Sequence, residues 1–115
     1  MTLRRIEPGP RMSQAVVHGG IAYLAGQVGA PGAGVAEQTR AVLVQIDRLL
    51  AEAGSDKSRI LTATIWLADI GNFAEMNSVW DTWVDPDNPP ARATGESMLA
   101  AADYKVEIIV VAACG

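Results

Sequence analysis

Tyr104-Lys105-Val106-Glu107-Ile108-Ile109-Val110-Val111-Ala112-Ala113 reads as a strand that is apolar on both sides. Side chains alternate across a strand, so Val106, Ile108 and Val110 face one way and Ile109, Val111 and Ala113 the other. Strands that lie between two covering layers have this composition. What the rest of the chain offers as cover decides the fold.

Two helices are legible. In Val35 to Ala53, the residues Thr39, Val42, Leu43, Ile46, Leu49, Leu50 and Ala53 recur at steps of three and four, with Glu37, Gln38, Arg40, Gln45, Asp47, Arg48 and Glu52 opposite. Gly54 stops it. The second opens at Asn72-Phe73-Ala74-Glu75, a capping-box pattern. Its apolar stripe is Phe73, Met76, Val79, Trp80, Trp83 and Val84, and Asp85-Pro86-Asp87-Asn88 ends it. Strands are expected over Thr2–Ile6 (broken by Glu7-Pro8-Gly9-Pro10), Ser13–Val17, Ile21–Val28, Ile60–Ala68 and Ala91–Ala100, with Ala101-Ala102-Asp103 turning into the last strand. His18-Gly19-Gly20 predicts a tight hairpin turn.

The order is β-β-β-α-β-α-β-β: an α+β domain over residues 1–115, with a single sheet of five to six strands and two helices on one face. No element is left for the second face. Covering four more Ile, Val or Leu side chains there is worth on the order of 6–12 kcal/mol, comparable to the whole stability of a small domain. The expectation is a homo-oligomer packed sheet to sheet, with clefts where subunits meet.

Composition narrows the function classes. Half the residues are hydrophobic (50%) and 19% are charged, which suits a packed globular chain. A net charge of −4, with no basic run longer than Arg4-Arg5, argues against a nucleic-acid backbone or an anionic membrane as partner. The single cysteine, Cys114, allows no intrachain disulfide and suits the cytoplasm. No apolar run is long enough to span a bilayer, and no signal-peptide core stands at the N-terminus.

Asn88-Pro89-Pro90-Ala91-Arg92-Ala93-Thr94 is where chemistry is expected. The prolines hold the chain extended, and small Ala93 and Thr94 leave space beside Arg92. A guanidinium presents a flat fork of donors that matches a carboxylate or phosphate.

Other motifs read as structural. Gly29-Ala30-Pro31-Gly32-Ala33-Gly34 lacks the Lys-Ser/Thr of a phosphate loop and is expected to be a mobile connector. His18 is a lone histidine beside a turn, which builds no metal site. Cys114 has no partner for nucleophilic work. Trp66, Trp80 and Trp83 fit core or interface packing, Asn77 a structural hydrogen bond, and Asp85 and Asp87 local turn bonds.

Taken together, Ser13-Gln14-Ala15-Val16, Gly26-Gln27-Val28, Asp69 to Asn77, Pro90-Ala91-Arg92 and Lys105-Val106-Glu107-Ile108 resemble the RidA/YjgF family of reactive-intermediate deaminases, also labelled L-PSP endoribonucleases. The resemblance implies a chorismate mutase-like fold, a homotrimer with inter-subunit clefts, and hydrolysis of 2-imino or enamine acids to 2-keto acids and ammonia. It implies neither metal nor organic cofactor. Arg92 matches the arginine that holds the substrate carboxylate, and main-chain groups of Leu24-Ala25-Gly26-Gln27 receive the imine end.

The family pattern in the last strand is Val-Glu-Ile-Glu. Here Glu107 matches the first acid and Ile109 stands at the second, which leaves Glu107 as that strand's one acid for handling water. Glu96 is the only other acid near Arg92. Met12 replaces the usual tyrosine and Ala25 the usual serine, so a more apolar pocket is expected. The implied substrate-contacting set is Arg92, Met12, Ala25, Gly26, Thr94 and Ile109.

Three readings follow: an imine deaminase, a non-catalytic trimeric module that binds small carboxylates or a partner, and the older ribonuclease label. The last fits worst, because the chain is acidic and holds one histidine.

Overall fold

The computed structural model describes residues 2–115. Its elements are β1 (Arg4–Pro8), β2 (Ser13–His18), β3 (Ile21–Leu24), α1 (Val35–Glu52), β4 (Ile60–Leu67), α2 (Phe73–Trp83), β5 (Ala91–Glu96) and β6 (Val106–Ala113). Gly19 and Gly20 turn β2 into β3 with φ of 61° and 77°, a pair of left-handed residues that makes the tight turn possible.

One six-stranded sheet runs β1-β2-β3-β6-β4-β5. Every neighbouring pair is antiparallel except β4 and β5. A parallel pair needs a crossover, and α2 provides it. The last strand therefore sits between β3 and β4, in the middle of the sheet, where its two-sided apolar composition belongs. Strands β5 and β6 are not joined by a short turn. Strand β5 stops at Glu96 rather than Ala100, and residues 97–105 run back past the end of β4, where Ser97 N–H donates to Leu67 O and Ala68 N–H to Lys105 O.

The helices cover one face. Val106, Ile108, Val110 and Ala112 are fully buried beneath them, together with Ile65, Leu67 and the α1 residues Val42, Ile46, Leu49 and Leu50. The alternate β6 positions Glu107, Ile109, Val111 and Ala113 are only half-buried. They lie on the open face in register with Trp66, Thr64 and Thr62 of β4, and Tyr23 of β3 pairs with Val111. Tyr23 is 50% and Trp66 36% exposed, so a broad aromatic and aliphatic surface stands uncovered in one copy.

Several sequence-based expectations need correction. Gln38, assigned above to the polar face of α1, is fully buried. Its Nε2 donates to Ala33 O (3.0 Å) and Asp103 O (2.9 Å), and its Oε1 accepts from Lys105 N–H (2.8 Å). That amide ties the glycine connector and the β5–β6 loop to α1. Asn72 makes no side-chain cap bond. Glu75, its expected capping-box partner, instead accepts from Ala36 N–H at the start of α1 (3.1 Å). Strand β1 continues through Glu7 to Pro8, which an edge strand tolerates because its outer side needs no donor.

Candidate functional site

Arg92 lies on β5 in register with buried Ala63, which turns its side chain toward the helices. There it meets one stripe of α2 at helical spacing. Its Nη1 donates to Asn77 Oδ1 (2.8 Å), and its guanidinium carbon stands 5.8 Å from the Phe73 ring and 5.3 Å from the Trp80 ring. The partners are one neutral amide and two aromatic faces, which orient the group by hydrogen bonding and cation–π attraction. Among the described residues no carboxylate pairs with it. Thr94, two residues along on the same side, has a buried Oγ1 without a hydrogen-bond partner. A half-buried cation lacking a counter-charge, next to an unpaired hydroxyl, has the chemistry to receive a small anion.

Glu107 and Ile109 occupy the open face. The Glu107 carboxylate lies against Gly26: a methyl group built there would stand 2.8 Å from its Cδ and clash with Oε2. The main chain around it is mostly committed. Ala25 N–H donates to Gln14 O, Ala25 O accepts from Gln27 Nε2, and Gln27 exchanges both main-chain bonds with Ile108. Gly26 keeps both its N–H and its C=O free among the described residues. Of the four residues expected to receive an imine through the main chain, Gly26 therefore has both groups to offer.

The sequence-derived set is therefore split. Arg92 and Thr94 share the helix-covered side of an edge strand. Glu107 and Ile109 lie two strands away on the opposite face, with Cα atoms of Arg92 and Glu107 about 14 Å apart from strand spacing and rise. Met12 and Gly26 line a cavity farther along, beside β1, β2 and α1. Glu96 accepts from Ile70 N–H (3.0 Å) and does not approach Arg92. His18 is exposed in its turn and Cys114 is buried. No three His, Cys, Asp or Glu residues converge on a metal position among the described residues, and no helix there is long and apolar enough to cross a membrane.

Sequence reasoning did not find the aromatic partners of Arg92, although Phe73, Asn77 and Trp80 stand at positions i, i+4 and i+7 of one helix. It also missed the glutamines beside Met12, whose positions in the chain are far apart.

The profile of a family described as Endoribonuclease L-PSP matches residues 2–114. A RutC family protein of Haemophilus influenzae is 49% identical over 99% of this chain and 100% of its own length. The crystal structure of a YjgF protein family member from Neisseria meningitidis superposes with a TM-score of 0.97 at 48% identity, covering 100% of this chain and 97% of that one. A rat protein named 2-iminobutanoate/2-iminopropanoate deaminase is 32% identical over 90% of this chain and 80% of its own.

Proposed function

The chain belongs to the Endoribonuclease L-PSP family, with RutC and YjgF proteins as its relatives, and from that membership we propose that it hydrolyses 2-imino acids to 2-keto acids and ammonia. The observation that carries the reading is Arg92, a half-buried cation bonded to a neutral amide and paired with no acid among the described residues. The rat relative's name gives the reaction class.

In this reading Arg92 grips the substrate carboxylate through its free donors, and Thr94 Oγ1 donates a further bond. The imine carbon sits against Gly26. Glu107 takes a proton from water as the water oxygen bonds to C2, and that proton passes to the imine nitrogen. The tetrahedral adduct collapses as the C2 hydroxyl proton passes to the amino nitrogen and the C–N bond breaks, so ammonia leaves and the C2 oxygen becomes the keto oxygen. No redox step or cofactor enters the balance.

Arg92 and Glu107 are too far apart in one copy to share a substrate, so the proposed site lies between copies in a homotrimer, with Arg92 of one protomer facing Gly26 and Glu107 of the next. The open sheet face, with Tyr23, Trp66, Ile109 and Val111, supplies the area that such packing needs.

The test is hydrolysis of imines generated in situ by an amino-acid oxidase. Wild-type protein is expected to accelerate the reaction, and Arg92→Ala to lose at least a hundredfold in kcat/KM. No acceleration by the wild type, with carboxylate binding that vanishes in Arg92→Ala, would instead identify a non-catalytic binding module.

A further inference from the structure

Met12 and Gly26, two residues of the expected substrate set, share a cavity of about 330 Å³ inside a single protomer. That volume equals about ten water molecules at ~30 Å³ each, which leaves room beyond a small imino-acid head group. Replacement of tyrosine and serine by Met12 and Ala25 predicted an apolar pocket. The walls are different: Gln14, Gln27, Gln45 and Arg48 line it with Met12 and Gly26.

The hydrogen-bonding capacity of these walls is only partly used. Gln27 Nε2 donates to Gln14 Oε1 (3.0 Å) and to Ala25 O (3.0 Å), which leaves Gln27 Oε1 and the Gln14 amino group available. Gln45 makes no side-chain hydrogen bond among the described residues; its Nε2 lies next to Gly29, where a methyl group would stand 2.8 Å from it. Arg48 uses Nη1 for Glu7 and reaches Glu52 with the same nitrogen at 3.8 Å, so Nη2 is unpaired. Both donors and acceptors therefore line the cavity.

Charge then selects among polar tails. Glu7 and Arg48, the charged residues that line the cavity, pair with each other, so a second carboxylate entering here finds the cation taken and meets the Glu7 carboxylate as like charge. A neutral group that both donates and accepts faces no such repulsion, and a glutamine-lined wall complements it. We propose that this cavity receives the substrate's side chain and selects 2-imino acids whose tails end in a carboxamide. The assignment rests on the imine-hydrolase reading and names the substrate class for it.

The test compares kcat/KM for imines formed in situ from asparagine and glutamine with those from alanine, leucine, aspartate and glutamate. Amide tails are expected to lead the alkyl and carboxylate tails by at least tenfold. In Gln45→Leu, a swap of similar size, the ratio of amide-tailed to alanine-derived turnover is expected to fall about tenfold. A ratio near one in the wild type, a ratio unmoved by Gln45→Leu, or preference for aspartate- and glutamate-derived imines overturns the tail assignment.

A second measurement is independent of turnover. Succinamate, which carries one carboxylate and one amide, is titrated against butyrate while the side-chain amide NMR signals of Gln14 and Gln45 are followed. Succinamate alone is expected to shift them. Shifts without turnover of any imine refute the hydrolase and keep the tail site; absence of shifts refutes the tail site even where turnover is found.

Discussion

Replacing Gly26 with alanine separates stability from chemistry. The new methyl carbon would lie 2.8 Å from Glu107 Cδ and 3.1 Å from Cγ, whereas unstrained carbon contacts start near 3.5 Å. The carboxyl group must retreat by about 0.7 Å or rotate away. It is the far end of a flexible side chain, so the fold absorbs the change. Gly26 is not among the glycines with positive φ, and alanine there removes unfolded-state entropy worth ~0.4–1 kcal/mol. The thermal midpoint is expected to stay level or rise slightly. A catalytic group displaced on the ångström scale loses about a hundredfold in rate. We therefore expect Gly26→Ala to fold and assemble as the wild type does, with kcat/KM for imine hydrolysis down about a hundredfold, because the added methyl displaces the Glu107 carboxyl and narrows the place where the imine sits. Activity within threefold of wild type would refute the role given to Glu107. A variant that unfolds would refute the claim that only the side-chain tip is in the way.

Three further outcomes follow from the packing. Gln38→Leu removes the partner of the Lys105 N–H and of the Ala33 carbonyl, while Asp103 O keeps its bond from Gly32 N–H; at about 1–3 kcal/mol for a buried group left unpaired, urea unfolding should show a loss of about 1–3 kcal/mol for these half-buried groups. Val111→Asp puts a charge at the centre of the open face, and in sedimentation the proposed trimer should give way to monomer while far-UV circular dichroism is kept. Asp85 is held below its ordinary value of 3.8, first by the Asn88 side chain and then by Asp87 N–H. Its stabilisation is thus present above that value and lost as pH falls through the lowered one, so Asp85→Asn should reduce the drop in thermal midpoint between pH 7 and pH 3.

The sheet was legible because its signals are local and periodic. Alternation in residues 104–113 identified a strand apolar on both sides, and the α1 stripe named the residues that cover one of them. The position of that strand was less accessible: nothing local says that β6 inserts between β3 and β4 while β5 turns parallel. Gln38 was misread for the same reason. A glutamine on a polar helix face is indistinguishable in sequence from one whose amide ties two loops together. At the site, Arg92 stood out through its proline lead-in, and Asn77 as a structural hydrogen-bonder. The separation of Arg92 from Glu107 across the sheet depends on register, which parity within each strand does not give. The glutamine cavity gathers positions 14, 27 and 45, a meeting that no spacing rule anticipates.

The neutral clasp around Arg92 has a kinetic consequence. Asn77 and two aromatic rings leave the guanidinium its full charge, so under the proposed reaction its grip would fall on the one part of the molecule that imine hydrolysis leaves untouched. The keto acid leaves with the same carboxylate and competes for the same anchor. Binding energy gained there is shared by reactant, transition state and product alike. Turnover must then be governed at the other end of the molecule, where nitrogen gives way to oxygen.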